Sequence, residues 1–290
     1  MERATQVTDL AGGPVEYRLE RRGPRAVLML HGGHMRAALP LGEDVFADAG
    51  CTVLAVSRPG YGRTAAGASP DRFADTVADL CGALGIASLA AVVGQSAGGP
   101  TAVALAARHP ELVERLILQS AVGLLPWPDR RTRVGARAVF GRRTERLTWA
   151  AIHLLTRRAP GAAFRLLLPD LTSRPVRELI AGLDPLRRAE LLALFGQMRS
   201  GAGFADDMRA TEPSTVERRA AQAAAVDRPT LVIATRDDGS VSFEHAQSLA
   251  DAIPGARLIT SAAPSHMIWF GDDYPAVAEA ITGFLARRPA

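Results

Sequence analysis

The 290-residue chain contains no lysine, and its 34 basic residues are all arginines. It begins with MERATQVTDL, in which no apolar segment follows a basic start, and this argues against a secretory signal. We therefore expect a cytoplasmic protein. The two cysteines, Cys51 and Cys81, lie in or beside apolar segments without a C-x-x-C spacing or a nearby histidine, so we expect buried free thiols.

Charged residues are absent from Leu80 to Ala107, a stretch long enough to span a bilayer. The segment GQSAGGP at positions 94–100 interrupts this stretch. Glycine and proline in this arrangement are typical of a strand, a sharp turn and a helix. We expect neither a membrane span nor a membrane partner.

The arginines are unevenly distributed along the chain. Residues 124–226 contain 18 arginines and 10 carboxylates, a net charge of +8, whereas the remainder carries −4. Two interpretations stay open, because the arginines could line solvated helix faces or could attract an anionic substrate or carrier. They are not interleaved with stacking aromatics, so we do not expect a nucleic-acid partner.

Short apolar runs alternate with helical patterns, and this predicts a mostly parallel sheet with helices on both faces. The predicted fold class is therefore α/β. A hairpin is predicted at the N terminus, in QVTDLAGGPVEYRLE. The clearest strand candidates are AVLML (26–30), TVLAV (52–56), LAAVV (89–93), RLILQSA (115–121) and TLVIAT (230–235).

The alternation stops after the sixth predicted strand. From residue 124 to about residue 226 the apolar residues recur at three- and four-residue steps, with arginines between them and repeated proline and glycine breaks. We expect a helical lid or cap there, over one end of the sheet. The predicted domain organisation is a core of residues 1–123, a lid of residues 124–226 and a second core segment of residues 227–290.

The sequence GQSAG at positions 94–98 fits the G-x-S-x-G pattern, with a predicted strand before it and a helix after it. A serine at the apex of such a turn needs neighbours without Cβ atoms so that the backbone can pass close by. The turn also places the amide of Ala97 at a helix N terminus, where it can stabilise an oxyanion. These features make Ser96 a candidate nucleophile.

A serine nucleophile needs a base, and the base needs a carboxylate. Of six histidines, His266 lies in a late loop, SAAPSHMIWF, which follows a predicted strand of the resumed sheet. Asp237 and Asp238 directly follow the strand TLVIAT. Neighbouring side chains in an extended loop point in opposite directions, so only one of the two can face His266.

The order Ser96, acid, His266, together with HGG at 31–33 and SRPGYGRT at 57–64, resembles the α/β-hydrolase superfamily over nearly the whole chain. The resemblance implies an α/β-hydrolase fold whose lid is the inserted helical region. It also implies that Asp238, the fourth residue of a G-x-x-D-like turn beginning at Thr235, is the acid. The implied oxyanion hole consists of the amides of Gly33 and Ala97.

The chain departs from the family pattern at several positions. Ser57 stands where the family commonly has aspartate, Thr64 where it has serine, and Ser265 where it has the glycine before the catalytic histidine. We interpret Ser57 and Thr64 as structural. Haloalkane dehalogenases and soluble epoxide hydrolases resemble this layout but carry aspartate as the nucleophile, so Ser96 argues against both.

Further residues beside these motifs are candidate substrate contacts, although core packing explains the apolar ones equally well. They are His34, Met35, Trp127, Met267 and Trp269. His31 and His34 form an H-x-x-H pair, but no third ligand is evident in the sequence, so we expect no metal.

The sequence therefore predicts a serine hydrolase that needs no cofactor and cleaves an ester, thioester or lactone carbonyl of a small apolar or anionic molecule. The same triad is also compatible with cyclisation, acyl transfer or carbon–carbon bond cleavage, because the lid decides what enters. A non-catalytic ligand-binding protein is a third alternative. Both a monomer and a homodimer are compatible with the sequence.

Overall fold

In the computed structural model, which describes residues 2–128, 133, 135–136, 139–141 and 144–287, eight strands form one sheet. Their order across the sheet is β1-β2-β4-β3-β5-β6-β7-β8. The hairpin β1–β2 and the β2–β4 pair are antiparallel, and the remaining pairs are parallel. The strands are β1 (Gln6–Leu10), β2 (Gly13–Glu20), β3 (Ala26–Leu30), β4 (Thr52–Val56), β5 (Leu89–Gln95), β6 (Leu116–Gln119), β7 (Thr230–Thr235) and β8 (Arg257–Ser261).

Helices cover both faces of this sheet, which confirms the predicted α/β class. One face is covered by α2, α3, α9 and α10, and the other by α1 and α11. The helices are α1 (Asp44–Asp48), α2 (Pro70–Ala83), α3 (Gly99–Arg108), α4 (Glu145–Arg158), α5 (Pro160–Leu167), α6 (Val176–Gly182), α7 (Pro185–Phe195), α8 (Gly203–Ala210), α9 (Val216–Ala224), α10 (Phe243–Ala252) and α11 (Tyr274–Ala286). Within the described ranges, no helix is both long enough and apolar enough to cross a membrane.

The central strands are apolar on both of their faces because helices cover both faces of the sheet. Along β3, Leu28 and Leu30 pack on the α2–α3 side, whereas Val27 and Met29 pack on the α1–α11 side. Successive side chains of a strand point to opposite faces, so a strand buried on both sides is apolar at every position. All five residues of β3 are buried.

Helices α4–α8 lie between β6 and β7, and α4–α7 form their own apolar cluster, which includes Trp149, Phe164 and Phe195. Met35 and Met267, from loops at the edge of the sheet, pack into the same cluster. Helix α9 is different, because it contacts α3 and α10 of the core. The predicted lid range of 124–226 thus contains one core helix, and part of its first segment, within 129–143, lies outside the described residues.

A buried ion pair joins the inserted helices to the core. Arg58, in the loop after β4, donates from Nη1 and Nη2 to the carboxylate of Asp207 in α8, and the distance from Nη2 to Oδ2 is 2.9 Å. The hydroxyl of Tyr61 donates to the same Oδ2 at 2.6 Å. Gly60 accepts from the amide of Gly203 at 3.2 Å, and a Cβ atom on Gly203 would meet the ring of Tyr61 at 2.3 Å. The loop after β4 therefore fixes the position of α8.

The point where the chain leaves the core is held by a second group of contacts. The amide of Gly123 donates to Nδ1 of His245 at 3.0 Å, and its carbonyl accepts from Arg219. Burial lowers the pKa of His245 to about 4, with a smaller contribution from the charge of Arg219. His245 is therefore neutral at neutral pH, which leaves Nδ1 free to accept.

We expect the Arg58–Asp207 pair to be strongly coupled. Arg58→Met or Asp207→Leu alone should lower the free energy of unfolding by about 3–5 kcal/mol, because each leaves an unpaired buried charge. The double variant should lose less than the sum of the two, as measured by urea unfolding. Arg108→Met, which breaks a pair with Asp75 in which the two side chains are 43% and 44% exposed, is the control and should cost under about 1 kcal/mol. Additive losses would show that the pair is not coupled.

Candidate active site

Four loops that follow parallel strands bring the predicted catalytic residues together at one edge of the sheet. Gly33 follows β3, Ser96 follows β5, Asp238 follows β7 and His266 follows β8. Parallel strands end at a common edge, and the crevice beyond their carboxyl ends is where ligands bind in open α/β sheets. Residues far apart in the chain meet there for this reason.

Ser96 stands on a sharp turn with a positive φ of 50°. The turn is closely packed: a Cβ atom on Gly94 would lie 2.6 Å from Cβ of Ala102, and one on Gly98 would lie 2.2 Å from the carbonyl oxygen of Leu30. Neither position accepts a side chain, as the sequence predicted. Since positive φ is uncommon for a residue other than glycine, the surrounding contacts must impose it on Ser96.

His266 is hydrogen-bonded to Asp238, with Nδ1 and Oδ2 2.7 Å apart. The other carboxylate oxygen of Asp238 accepts the amides of Ser240 and Val241, each at 2.8 Å. Its side chain is fully buried. Asp237 points elsewhere, and accepts from Nε of Arg174 at 2.6 Å. Of the two adjacent aspartates, the structure thus places Asp238 against His266.

Leu171 and Thr172, in the inserted region, contact His266 and Asp238. The amide of His266 donates to the carbonyl of Leu171 at 2.7 Å, and Thr172 forms an isolated antiparallel bridge with Asp238. The hydroxyl of Thr172 also donates to the carbonyl of Pro264 at 2.6 Å. Gly239 makes this contact possible, because a Cβ atom there would lie 2.7 Å from the backbone of Thr172. The inserted region is therefore part of the framework that positions the pair.

The amides of the predicted oxyanion hole are available. Among the described residues, the amide of Gly33 has no hydrogen-bond acceptor. Ala97 is the second residue of a short 3-10 helix, Ser96–Gly98, and the first amides of a helix have no acceptor within it. A Cβ atom on Gly33 would lie 3.3 Å from the ring of Phe204, so a larger residue would displace the loop.

A cavity of about 250 Å³ opens beside Ser96 and His266. At the volume that water occupies in the liquid, it holds roughly eight water molecules, so it fits a small molecule. All five candidate substrate contacts line it, namely His34, Met35, Trp127, Met267 and Trp269. Inserted-region residues that the sequence analysis did not single out line it too, among them Phe140, Phe195, Met198 and Phe204. In the sequence their apolar helical spacing is the same as that of core residues.

Two of the positions that depart from the family pattern, Ser57 and Thr64, surround one buried carboxylate. The hydroxyl of Ser57 donates to Glu16 Oε2 at 2.8 Å and accepts the amide of Ala37 at 2.9 Å. Thr64 Oγ1 accepts the amide of Glu16 at 2.9 Å. Glu16, from the antiparallel strand β2, thus places a carboxylate beside the position where the family commonly has aspartate. These contacts are structural, and the bond from Ala37 joins them to the loop that carries Gly33.

His31 is occupied by protein contacts. Its Nδ1 lies 2.7 Å from the carbonyl oxygen of Gly32, and its Nε2 lies 3.1 Å from the amide of Arg58, which donates to it. Burial, and then the charge of Arg58, hold its pKa well below the ordinary value. Across the part of the chain that the structure describes, no group of three or more histidine, cysteine, aspartate or glutamate side chains is arranged to hold a metal ion.

Arginines of the inserted region pair with carboxylates away from the cavity. Arg187 contacts Asp272 at 2.5 Å and Arg218 contacts Asp71. Among the described residues that line the cavity there is no arginine, and the one carboxyl group is that of Asp170, whose pKa is raised by burial. The described arginines therefore face solvent or other protein groups, and give no site for an anion inside the cavity.

A sequence model of the α/β hydrolase fold matches residues 25–273 of the chain. The chain is also 29% identical over 290 residues to the uncharacterized hydrolase YcgS of Bacillus subtilis (strain 168), an alignment that covers 98% of this chain and 99% of that protein. A shorter match, 36% identical over 112 residues, is to a 2-hydroxy-6-oxononadienedioate/2-hydroxy-6-oxononatrienedioate hydrolase of Burkholderia vietnamiensis (strain G4 / LMG 22486). It covers 36% of this chain and 38% of that protein.

Among solved structures, the fold is similar to that of an alpha/beta hydrolase fold protein from Nakamurella multipartita. The TM-score is 0.79 at 27% sequence identity, and the superposition covers 97% of this chain and 99% of that chain. The similarity thus extends over the sheet and the inserted helices together.

Proposed function

The chain belongs to the α/β hydrolase fold family and is a hydrolase of that type, and from this premise we propose that it cleaves an ester, thioester or lactone carbonyl of a small molecule by serine catalysis. The proposal rests on the hydrogen bond between His266 Nδ1 and the buried carboxylate of Asp238, at the edge where Ser96 stands on its strained turn. The membership confirms the predicted family and fold.

In the proposed reaction Asp238 determines which nitrogen of His266 is basic. An ionised carboxylate only accepts hydrogen bonds, so the proton of the neutral ring sits on Nδ1 and the lone pair on Nε2. Nε2 takes the proton of the Ser96 hydroxyl as its oxygen attacks the carbonyl carbon, and returns it to the leaving oxygen or sulfur. Water then attacks the acyl group on Ser96 with the same histidine as base, which releases the acid and restores the hydroxyl.

The amides of Gly33 and Ala97 would stabilise the negative charge that develops on the carbonyl oxygen. Each donates from the backbone, so neither has to reorganise during the reaction. The close packing of Gly33 against Phe204 and of the Ser96 turn against Leu30 keeps these donors in place. A preorganised donor of this kind contributes about 2.7–4 kcal/mol of transition-state stabilisation.

The lining of the cavity favours a neutral substrate over an anionic one. Most of its surface is apolar, from Met35, Phe204 and similar residues, and no described arginine reaches it. An ionised group is costly to bury without a partner. Asp170, the one carboxyl group of the described lining, offers a substrate anion no positive partner. We therefore expect a small, mostly apolar acyl compound.

Ser96→Ala should abolish covalent labelling by a fluorophosphonate probe, because the probe reacts with an activated serine hydroxyl. Mass spectrometry of the labelled protein should place the adduct on Ser96. Ser69→Ala is the control, since Ser69 caps α2 on the surface and should leave labelling intact. Undiminished labelling of the Ser96→Ala protein would remove Ser96 from the proposed role.

Asp238→Asn should lower kcat for a short-chain p-nitrophenyl ester by roughly 10³- to 10⁴-fold, because an amide no longer holds the histidine tautomer. Asp237→Asn is the matched control. It breaks only the pair with Arg174, whose side chain is 49% exposed, and should change kcat by less than about threefold. A large loss in Asp237→Asn with a small one in Asp238→Asn would reverse the assignment.

Carbon–carbon bond hydrolysis is the second candidate, because the relative from Burkholderia vietnamiensis is by its name a hydrolase of 2-hydroxy-6-oxononadienedioate. That compound is a dicarboxylate, whereas the described lining offers it no arginine. We expect kcat/KM for a neutral p-nitrophenyl butyrate to exceed that for the dienedioate by at least about 100-fold, given the cost of burying unpaired charge. Faster turnover of the dienedioate, followed by loss of its absorbance, would favour the second candidate.

A further inference from the structure

Three side chains form a hydrogen-bonded series at the wall of the cavity. Nε1 of Trp149 lies 2.7 Å from Oγ of Ser200, and Oγ of Ser200 lies 2.7 Å from Nδ1 of His34. Ser200 is fully buried, and its amide donates to Glu145 Oε1 at 2.9 Å. An indole nitrogen can only donate, so the Ser200 hydroxyl accepts from Trp149. Besides Trp149, Nδ1 of His34 is the only partner of this buried hydroxyl among the described residues, so we assign the hydroxyl hydrogen to that bond. Nδ1 of His34 is therefore an acceptor.

A neutral imidazole whose Nδ1 accepts carries its proton on Nε2. Burial, and then the charge of Arg58, lower the pKa of His34 to about 3, so the ring is neutral at neutral pH. Among the described residues Nε2 has no hydrogen-bond partner, and His34 lines the cavity. The series thus presents one polar N–H group in a mostly apolar wall.

The ring of His34 is held firmly. It packs against the rings of Phe204 at 4.2 Å, Phe140 at 4.7 Å and Trp149 at 5.2 Å between centroids. Its carbonyl accepts the amide of Arg199 at 2.9 Å. The backbone has a positive φ of 63°, uncommon for histidine. A fixed donor loses little entropy when it binds, so it can discriminate between substrates.

We propose that Nε2–H of His34 is a specificity-determining donor that binds a second, neutral carbonyl oxygen of the substrate, with Ser200 as the positioning residue. The inference rests on the proposed function and names its substrate class, oxoacyl esters, thioesters or lactones. His34 directly follows Gly33, and both residues line the cavity beside Ser96, so one small substrate can contact the Gly33 amide and Nε2 of His34 together. A neutral donor, with Asp170 on the same lining, suits a ketone rather than a carboxylate.

The test compares substrates that differ only by that oxygen. Ethyl 4-oxohexanoate and ethyl 5-oxohexanoate are each compared with ethyl hexanoate by the rate at which acid is released. The wild type should prefer at least one oxo ester by about 10- to 100-fold in kcat/KM, because without it the donor stays unpaired. His34→Phe should reduce this ratio to about one. His34→Asn, which tolerates positive φ, covers the case in which the phenylalanine variant does not fold, and should also lower the ratio.

His109→Gln is the matched control, because His109 pairs with Asp75 far from the cavity lining, and it should keep the wild-type ratio. A wild-type ratio near one for both oxo esters, or an unchanged ratio in both His34 variants, would overturn the proposed donor. Neither result would contradict the proposed function. That function is contradicted separately, if the wild type releases no acid from ethyl hexanoate or any p-nitrophenyl ester and Ser96 is not labelled.

Ser200→Ala tests whether Ser200 positions His34. The measurement is the tautomer of the His34 ring, which a loss of packing alone would not change. In Ser96→Ala protein labelled with ¹⁵N-histidine, the His34 ring should give the signals of the Nε2–H tautomer, and the Nε2–H resonance should shift on addition of ethyl 4-oxohexanoate or ethyl 5-oxohexanoate. Adding Ser200→Ala to this protein should produce a mixture of His34 tautomers. In protein that retains Ser96, Ser200→Ala should lower the kcat/KM ratio of oxo ester to ethyl hexanoate at least about threefold, as expected for a lost hydrogen bond. An Nδ1–H tautomer, or no shift with either ester, would contradict the proposal.

Discussion

The close approach of the chain to itself after β5 is the constraint on which the site depends. The position of Gly98 lies so near the carbonyl of Leu30 that a Cβ atom there would be 2.2 Å away. This contact ties the turn of Ser96 to the end of β3, from which the loop of Gly33 departs. The candidate nucleophile and the candidate oxyanion donor are thereby fixed to one another through the backbone.

The inserted helices complete this site as well as cover it. Leu171 and Thr172 hold the loops of His266 and Asp238, while Phe204 limits the loop of Gly33. The buried pair between Arg58 and Asp207 connects the same helices to the core. Because residues of the inserted helices also line the cavity, these contacts help to determine its shape.

Several polar groups in the interior form connected sets of hydrogen bonds. Glu16 supplies a carboxylate that binds Ser57 and the backbone around Gly62, where the family commonly uses an aspartate at the position of Ser57. In the cavity wall, Trp149 and Ser200 orient the ring of His34. Buried polar groups are costly unless they are paired, so each such set has a defined geometry.

The sequence by itself determined the α/β class, the strained turn at Ser96 and the loops that carry Gly33, Asp238 and His266 to one edge. It could do so because apolar strands and glycine turns are local patterns, and parallel strands end at a common edge. The family resemblance already implied Asp238, and the tertiary structure places its side chain against His266 and that of Asp237 against Arg174. Only the tertiary structure revealed the pairing of Ser200 with His34. Those contacts join residues far apart in the chain, and a helical apolar pattern does not record which partner its residues will meet.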